Sequence, residues 1–171
     1  KKKLRYIDRD LNRCFMERDG KLFEENRAKA LKSILRQTDF LLDIHQTNQK
    51  TKTPFFIFRY SKTAMQFAHN IAPELPIVTH WRVRYTNEGK TTDHFVNQRG
   101  GCGITLELGK YGFCKDQIDT GFKACMTAIS IVSRWDKIKK TPQAKGLLYT
   151  FGQILRLPQY TYRLKKNWTN L

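Results

Sequence analysis

In the stretch FLLDIHQT, at positions 40–47, a short apolar run ends in Asp43, His45 and Thr47. Bounded by polar residues on both sides, it reads as a buried strand delivering polar groups at its carboxyl end, the edge of an open α/β sheet where ligands sit. Side chains alternate along a strand, so the three polar groups fall on one side. An imidazole with a carboxylate and a hydroxyl beside it suits a metal ligand with orienting neighbours, and it equally suits a strand end meeting water. A second carboxylate, Glu107, stands in CGITLELG at 102–109, where Ile104, Leu106 and Leu108 are apolar. An acid inside an apolar strand needs a reason to be there. It is either a general base whose pKa a low-dielectric setting lifts toward the working range, or half of a buried salt bridge to an arginine. A third cluster is RYIDRDLNR at 5–13. Arg5 and Arg13 carry planar, permanently charged forks suited to a carboxylate, Asn12 adds an amide donor, and Asp8 and Asp10 are placed to hold the guanidiniums. A surface ion-pair loop is the plainer account of the same residues.

The elements that would position these groups are legible in outline. Residues 22–36 carry Leu22, Ala30, Leu31, Ile34 and Leu35 on one helical face, with Glu24 and Glu25 near the start, where they suit the helix dipole. The aromatic and β-branched run at 54–60 predicts a strand, and Ser61 predicts the N-cap of a helix over 61–71 that Pro73 and Pro76 do not continue. A strand is expected over 77–85, and a long helix over 115–135 with Ile118, Phe122, Cys125, Met126, Ile129 and Val132 at helical spacing, Phe122 and Met126 being read as core. The Lys-rich, Pro142-containing stretch at 136–145 reads as a linker. Beyond it, 146–171 alternates apolar, aromatic and basic residues, as strands opening a small β unit would. The expectation is an α/β fold with a partial catalytic domain over 1–140 and the beginning of a C-terminal β domain over 146–171.

Composition narrows the classes. A chain of 171 residues with 40% hydrophobic content can bury a core. No apolar run reaches the length of a membrane span, and the first residues lack the apolar segment of a secretory signal, so the expectation is a cytoplasmic protein with no membrane partner. Four scattered cysteines without a CxxC pair indicate neither a zinc ribbon nor a disulfide framework. Walker, GxGxxG and GxSxG motifs are absent from the sequence. The net charge of +17 fits acidic substrates or nucleic acid. Basic residues are spread along the chain rather than gathered in one tract, which weakens the nucleic-acid reading.

Taken in order, RYIDRDLNR, LLDIH and GITLELG resemble the succinylglutamate desuccinylase and aspartoacylase family, relatives of the zinc carboxypeptidases, over most of residues 3–135. The resemblance implies a zinc carboxypeptidase-like mixed sheet flanked by helices and a zinc-dependent amidohydrolase acting on a small anionic N-acyl amino acid or related amide. It implies His45 as a zinc ligand, Glu107 as general acid/base, Arg5 near the scissile carbonyl, and Asn12 with Arg13 as the grip on the substrate carboxylate. Arg99 is a looser second contact. The family's HxxE ligand pair has no counterpart in these residues, and His80 and His94 match no family ligand. The expectation is therefore a chain beginning downstream of that pair, inactive alone. A non-catalytic binding module of the same fold is the competing reading.

Overall fold

The computed structural model describes residues 6–15, 20–47, 49–79, 91–138 and 148–150. Helices α1 (Phe23–Leu35), α2 (Lys62–Ile71), α3 (Thr92–Asn97), α4 (Lys115–Val132) and α5 (Trp135–Ile138) alternate with strands β1 (Phe40–Thr47), β2 (Phe55–Phe58), β3 (Ile77–Thr79), β4 (Cys102–Lys110) and β5 (Leu148–Thr150). The strands form one mixed sheet in the order β1-β4-β2-β3-β5. β2 runs parallel to β3 and antiparallel to β4, and β3 runs parallel to β5. This is the mixed α/β architecture expected. Arg5, His80 and most of 146–171 lie outside the described residues. Of the stretch expected to open a second β unit, Leu148–Thr150 is described, and it pairs with β3.

The described residues group into two compact units, with the divisions falling inside β1 after Asp43 and inside β4 after Gly103. In the first unit the core is Phe15, Phe95, Cys14, Ala28, Leu35 and Val96, with Leu11 and Leu41 packed against it. Phe15 and Phe95 meet tilted, ring centroids 6.5 Å apart, and each such fully buried ring stabilises the fold by about 1.5–3 kcal/mol. Of the face expected of α1, Leu35 is buried and Leu22 half-buried, while Ala30, Leu31 and Ile34 are exposed. Its inward residues are Glu24, Ala28, Lys32 and Leu35, while Ile34 is 66% exposed. The apolar count had favoured the wrong stripe, because a buried glutamate and a buried lysine carry no apolar signal.

In the second unit β2 and β3 are apolar and buried almost throughout. Ser61 caps α2 as expected, its Oγ accepting the Ala64 N–H at 3.0 Å. α2 lays Ala64, Phe67, Ala68 and Ile71 inward and packs on α4. Phe67 also meets Trp135 of α5 edge-on, centroids 5.9 Å apart, at the end of the stretch read as the long helix. α4 corrects the sequence reading most clearly. It buries Gly121, Ala124, Ala128 and Ile131, whereas Phe122 (68% exposed), Met126 and Ile129 face outward. The small residues let the helix approach closely, so that a Cβ at Gly121 would stand 3.2 Å from Leu108 Cδ1.

The turn into β4 is the tightest joint. α3, which the sequence reading passed over, is followed by Gly100 at φ 85°, a left-handed conformation that glycine adopts without strain. The Asn97 amide then pairs with the backbone of Gly103, donating to its carbonyl at 2.9 Å and accepting its N–H at 2.8 Å. A Cβ at Gly103 would lie 2.6 Å from the Asp93 carbonyl oxygen and 2.7 Å from Asp93 Cα. Gly103→Ala is expected to lower unfolding stability by about 1–3 kcal/mol, read as a lower urea midpoint. An unchanged midpoint would contradict this close approach.

Candidate functional site

β4 is buried on both faces except at Glu107, which is half-buried, and at its last residue. Antiparallel pairing sets Glu107 opposite Phe55 of β2, so one flank of the acid is apolar. From β1, His45 turns Nδ1 toward it, 3.8 Å from Glu107 Oε1, with the two side chains 29% and 17% exposed. The separation exceeds a direct hydrogen bond and suits a bridging polar atom or an ion pair with the protonated imidazole. Among the described residues, histidine is thus one partner of the acid.

The carboxyl ends of the two strands are tied together locally. The Tyr111 N–H donates to the Thr47 carbonyl at 2.8 Å. The Gln46 amide donates to the Gly112 carbonyl at 2.9 Å and to Gln117 Oε1 at 2.8 Å. Gln46, which the sequence reading did not single out, therefore anchors the loop that follows Glu107. The three polar residues of β1 go to different partners: Asp43 accepts from the Thr92 hydroxyl, His45 faces Glu107, and the Thr47 hydroxyl donates to the Gln49 carbonyl.

The other sequence-predicted residues lie in the first unit. Asn12 is half-buried in a 3-10 turn, Leu11–Arg13, capped by Asp10, whose Oδ1 accepts the Asn12 N–H at 3.0 Å. Asn12 Oδ1 accepts the N–H of Thr92 at 3.0 Å. Arg13 is exposed, with a guanidinium N–H on the Asn12 carbonyl at 2.6 Å. Arg99 lays its guanidinium over the Phe95 ring, 3.9 Å from the centroid. Stacking engages the face of that fork and leaves hydrogen bonding to its edges. Asp8 and Asp10 each accept a backbone amide, Asp8 Oδ2 taking the Phe23 N–H at 3.0 Å. Arg9 pairs with Glu25 at 3.2 Å, an exposed contact of the kind worth little to stability.

Glu24 organises this loop, a role that sequence did not reveal. Its carboxylate accepts the N–H groups of Ile7 at 2.6 Å, Asp8 at 3.1 Å and Arg9 at 3.2 Å. Burial acts to raise its pKa, but these donors prevail and hold it below the usual carboxylate range. Asp93 moves the other way: burial raises it, hydrogen bonds from Thr91 and the His94 backbone oppose that, and the Asp43 charge reinforces it. Burial pushes the Cys102 thiol up to about 12, and burial likewise raises Cys14, which keeps both protonated and poor nucleophiles. Among the described residues, no group of three or more His, Cys, Asp or Glu is placed to hold a metal ion. His45 with Glu107 falls short of the three protein ligands of a catalytic zinc site, so the described residues do not complete one. No helix among them is long and apolar enough to cross a membrane.

Comparison with known proteins gives these residues a context. The family model of the succinylglutamate desuccinylase/aspartoacylase catalytic domain matches residues 1–131. A probable aspartoacylase from Trichodesmium erythraeum (strain IMS101) is 30% identical over 118 residues, 61% of this chain and 38% of that protein. Among solved structures, succinylglutamate desuccinylase from Vibrio cholerae superposes with a TM-score of 0.64 at 19% identity, covering 90% of this chain and 48% of that one. A mutant of murine aminoacylase 3 gives 0.61 at 18% identity, covering 90% and 55%. These structural likenesses establish a shared fold. The chain spans less than half the length of the curated relative and about half that of the solved structures.

The Glu24 arrangement predicts an acid limb. A carboxyl held below its unfolded pKa of about 4.3 contributes stability that is fully present above that value and is lost as pH falls through the folded pKa. Chemical denaturation between about pH 5 and 2 should therefore show a shallower loss in Glu24→Gln than in the parent, with the variant weaker at neutral pH. Parallel acid limbs would contradict the role given to these bonds.

Proposed function

Since this chain belongs to the succinylglutamate desuccinylase/aspartoacylase family, we propose that it carries the catalytic half of a zinc-dependent amidohydrolase cleaving an N-acyl amino acid or a similar small carboxylated amide. The observation that carries this reading is the approach of His45 Nδ1 to Glu107 Oε1 at 3.8 Å, at the ends of two strands that the sequence separates widely. An imidazole and a carboxylate so placed can share one small polar ligand, which is what proton transfer to and from a reacting amide requires.

Each residue is assigned a role on this reading. Glu107 takes a proton from the attacking water and returns it to the leaving amine, beside the apolar flank that Phe55 gives it. His45 is one zinc ligand. The metal, when bound, supplies Lewis acidity at the scissile carbonyl. Asn12 and Arg13 take the substrate carboxylate, Arg99 adds a second contact to an acidic substrate, and Arg5 stabilises the oxyanion. The +17 charge supports an anionic substrate by raising its local concentration. The compartment proposed for the enzyme is the cytoplasm.

Two measurements test this reading. Zinc titrated into the 171-residue chain should show no stoichiometric tight binding, since the described residues offer one expected ligand. A tight one-to-one complex would overturn that assignment. In the intact enzyme, Glu107→Ala should lower turnover by about two to four powers of ten while zinc content is retained. Turnover near the parent value would remove Glu107 from the mechanism.

A further inference from the structure

Thr92 occupies an unusual place between two residues that the functional reading values. It is the first residue of α3 after the cap Thr91. Its hydroxyl donates to Asp43 Oδ2, on the strand that carries His45, and its backbone N–H donates to Asn12 Oδ1 at 3.0 Å. The hydroxyl also lies 3.5 Å from Asn12 Oδ1. A hydroxyl has one proton, and a carboxylate is the stronger acceptor, so that proton goes to Asp43 and Thr92 reaches Asn12 through its backbone N–H.

That bond decides which end of the Asn12 amide faces where. A carboxamide has a donor end and an acceptor end that a half-turn about one bond exchanges, and a backbone N–H can only donate. Oδ1 must therefore be the end against α3, and the Nδ2 hydrogens are turned to the opposite edge of the amide. A substrate carboxylate only accepts, so it is recognised by Nδ2 and repelled by Oδ1. The first N–H groups of a helix have no partner within the helix, and here Asn12 satisfies one of them from outside.

We propose that Thr92 is a positioning residue for substrate binding, its N–H fixing the Asn12 amide with the donor end toward the substrate carboxylate and its hydroxyl fastening the start of α3 to Asp43. This rests on the reading of Asn12 as part of the carboxylate grip. Thr92→Pro tests it directly. The first helical position tolerates proline, and Thr91 already has the extended conformation (φ −94°, ψ 157°) that a following proline requires. The substitution therefore removes the N–H with little strain.

The first readout is the pair of Asn12 Nδ2 proton resonances in the 171-residue chain. In the parent and in Thr92→Ser the two should be distinct from each other and should coincide closely between the proteins, and in Thr92→Pro they should shift while the rest of the spectrum stays folded. Unchanged Asn12 resonances in Thr92→Pro would overturn the positioning role whatever the enzyme does. The second readout is kinetic, in the intact enzyme with N-acetylaspartate as probe. Thr92→Pro and Asn12→Asp should each raise KM about tenfold or more with kcat within about twofold, Asp keeping the acceptor for α3 while losing the donor, and Thr92→Ser should restore KM. An unchanged KM in Asn12→Asp would refute the carboxylate grip itself, and with it the functional half of this inference. A raised KM in Asn12→Asp with an unchanged KM in Thr92→Pro would refute Thr92 alone.

Discussion

A carboxylate on a strand covered from both sides has to be met by a donor or a positive group, because burying charge unaccompanied costs several kcal/mol. Glu107 imposes that condition on β4. The strand lies between β1 and β2 in the sheet, and the β2 side offers Phe55. On the β1 side the acid faces His45, 3.8 Å away. The same end of β1 supplies Gln46, whose amide holds the backbone at Gly112 and the side chain of Gln117, so the path of the chain leaving Glu107 is fixed by a neighbour of the histidine. One short segment thus serves both the acid and the loop behind it.

The first unit solves a different problem with the same kind of bond. The stretch at 6–10 is rich in charge and leaves Tyr6 and Ile7 exposed, so packing alone cannot order it. Glu24, buried at the start of the helix, gathers consecutive backbone amides of that loop, and Asp8 returns the favour by accepting the Phe23 N–H. Glu25 completes the arrangement by accepting the Leu22 N–H at 3.1 Å. Acids at a helix start here act chiefly as receivers of specific amides, with the macrodipole a secondary influence.

Strands and caps were readable from the residues because their signals are local. FLLDIHQT, PFFIFRY and CGITLELG each show a short apolar run between polar or glycine-rich ends, and Ser61 stands where a cap belongs. The pairing of His45 with Glu107 could be anticipated for a related reason: a polar residue at an apolar strand position is conspicuous. Helix faces were harder. Periodicity weighs large apolar residues heavily and small ones hardly at all, so it favoured the Phe122 and Met126 stripe of α4 over the Gly121, Ala124 and Ala128 face that is buried. α3 is too short for a period to register, although two threonines and an aspartate before Phe95, with a glycine pair after, carry the cues of a helix start and stop. Thr92 was hidden with it, and nothing in the sequence links it to Asn12.

The narrow seam under α4 couples that helix to the acid. At Gly121 the gap to Leu108 leaves no slack for a methyl group, and Leu108 is the immediate neighbour of Glu107 along the strand. Thickening the helix there would press on the strand beside the carboxylate, shifting it by tenths of an ångström without touching any polar atom. The depth at which the Glu107 carboxylate rests is in this sense gauged by the missing side chain of Gly121.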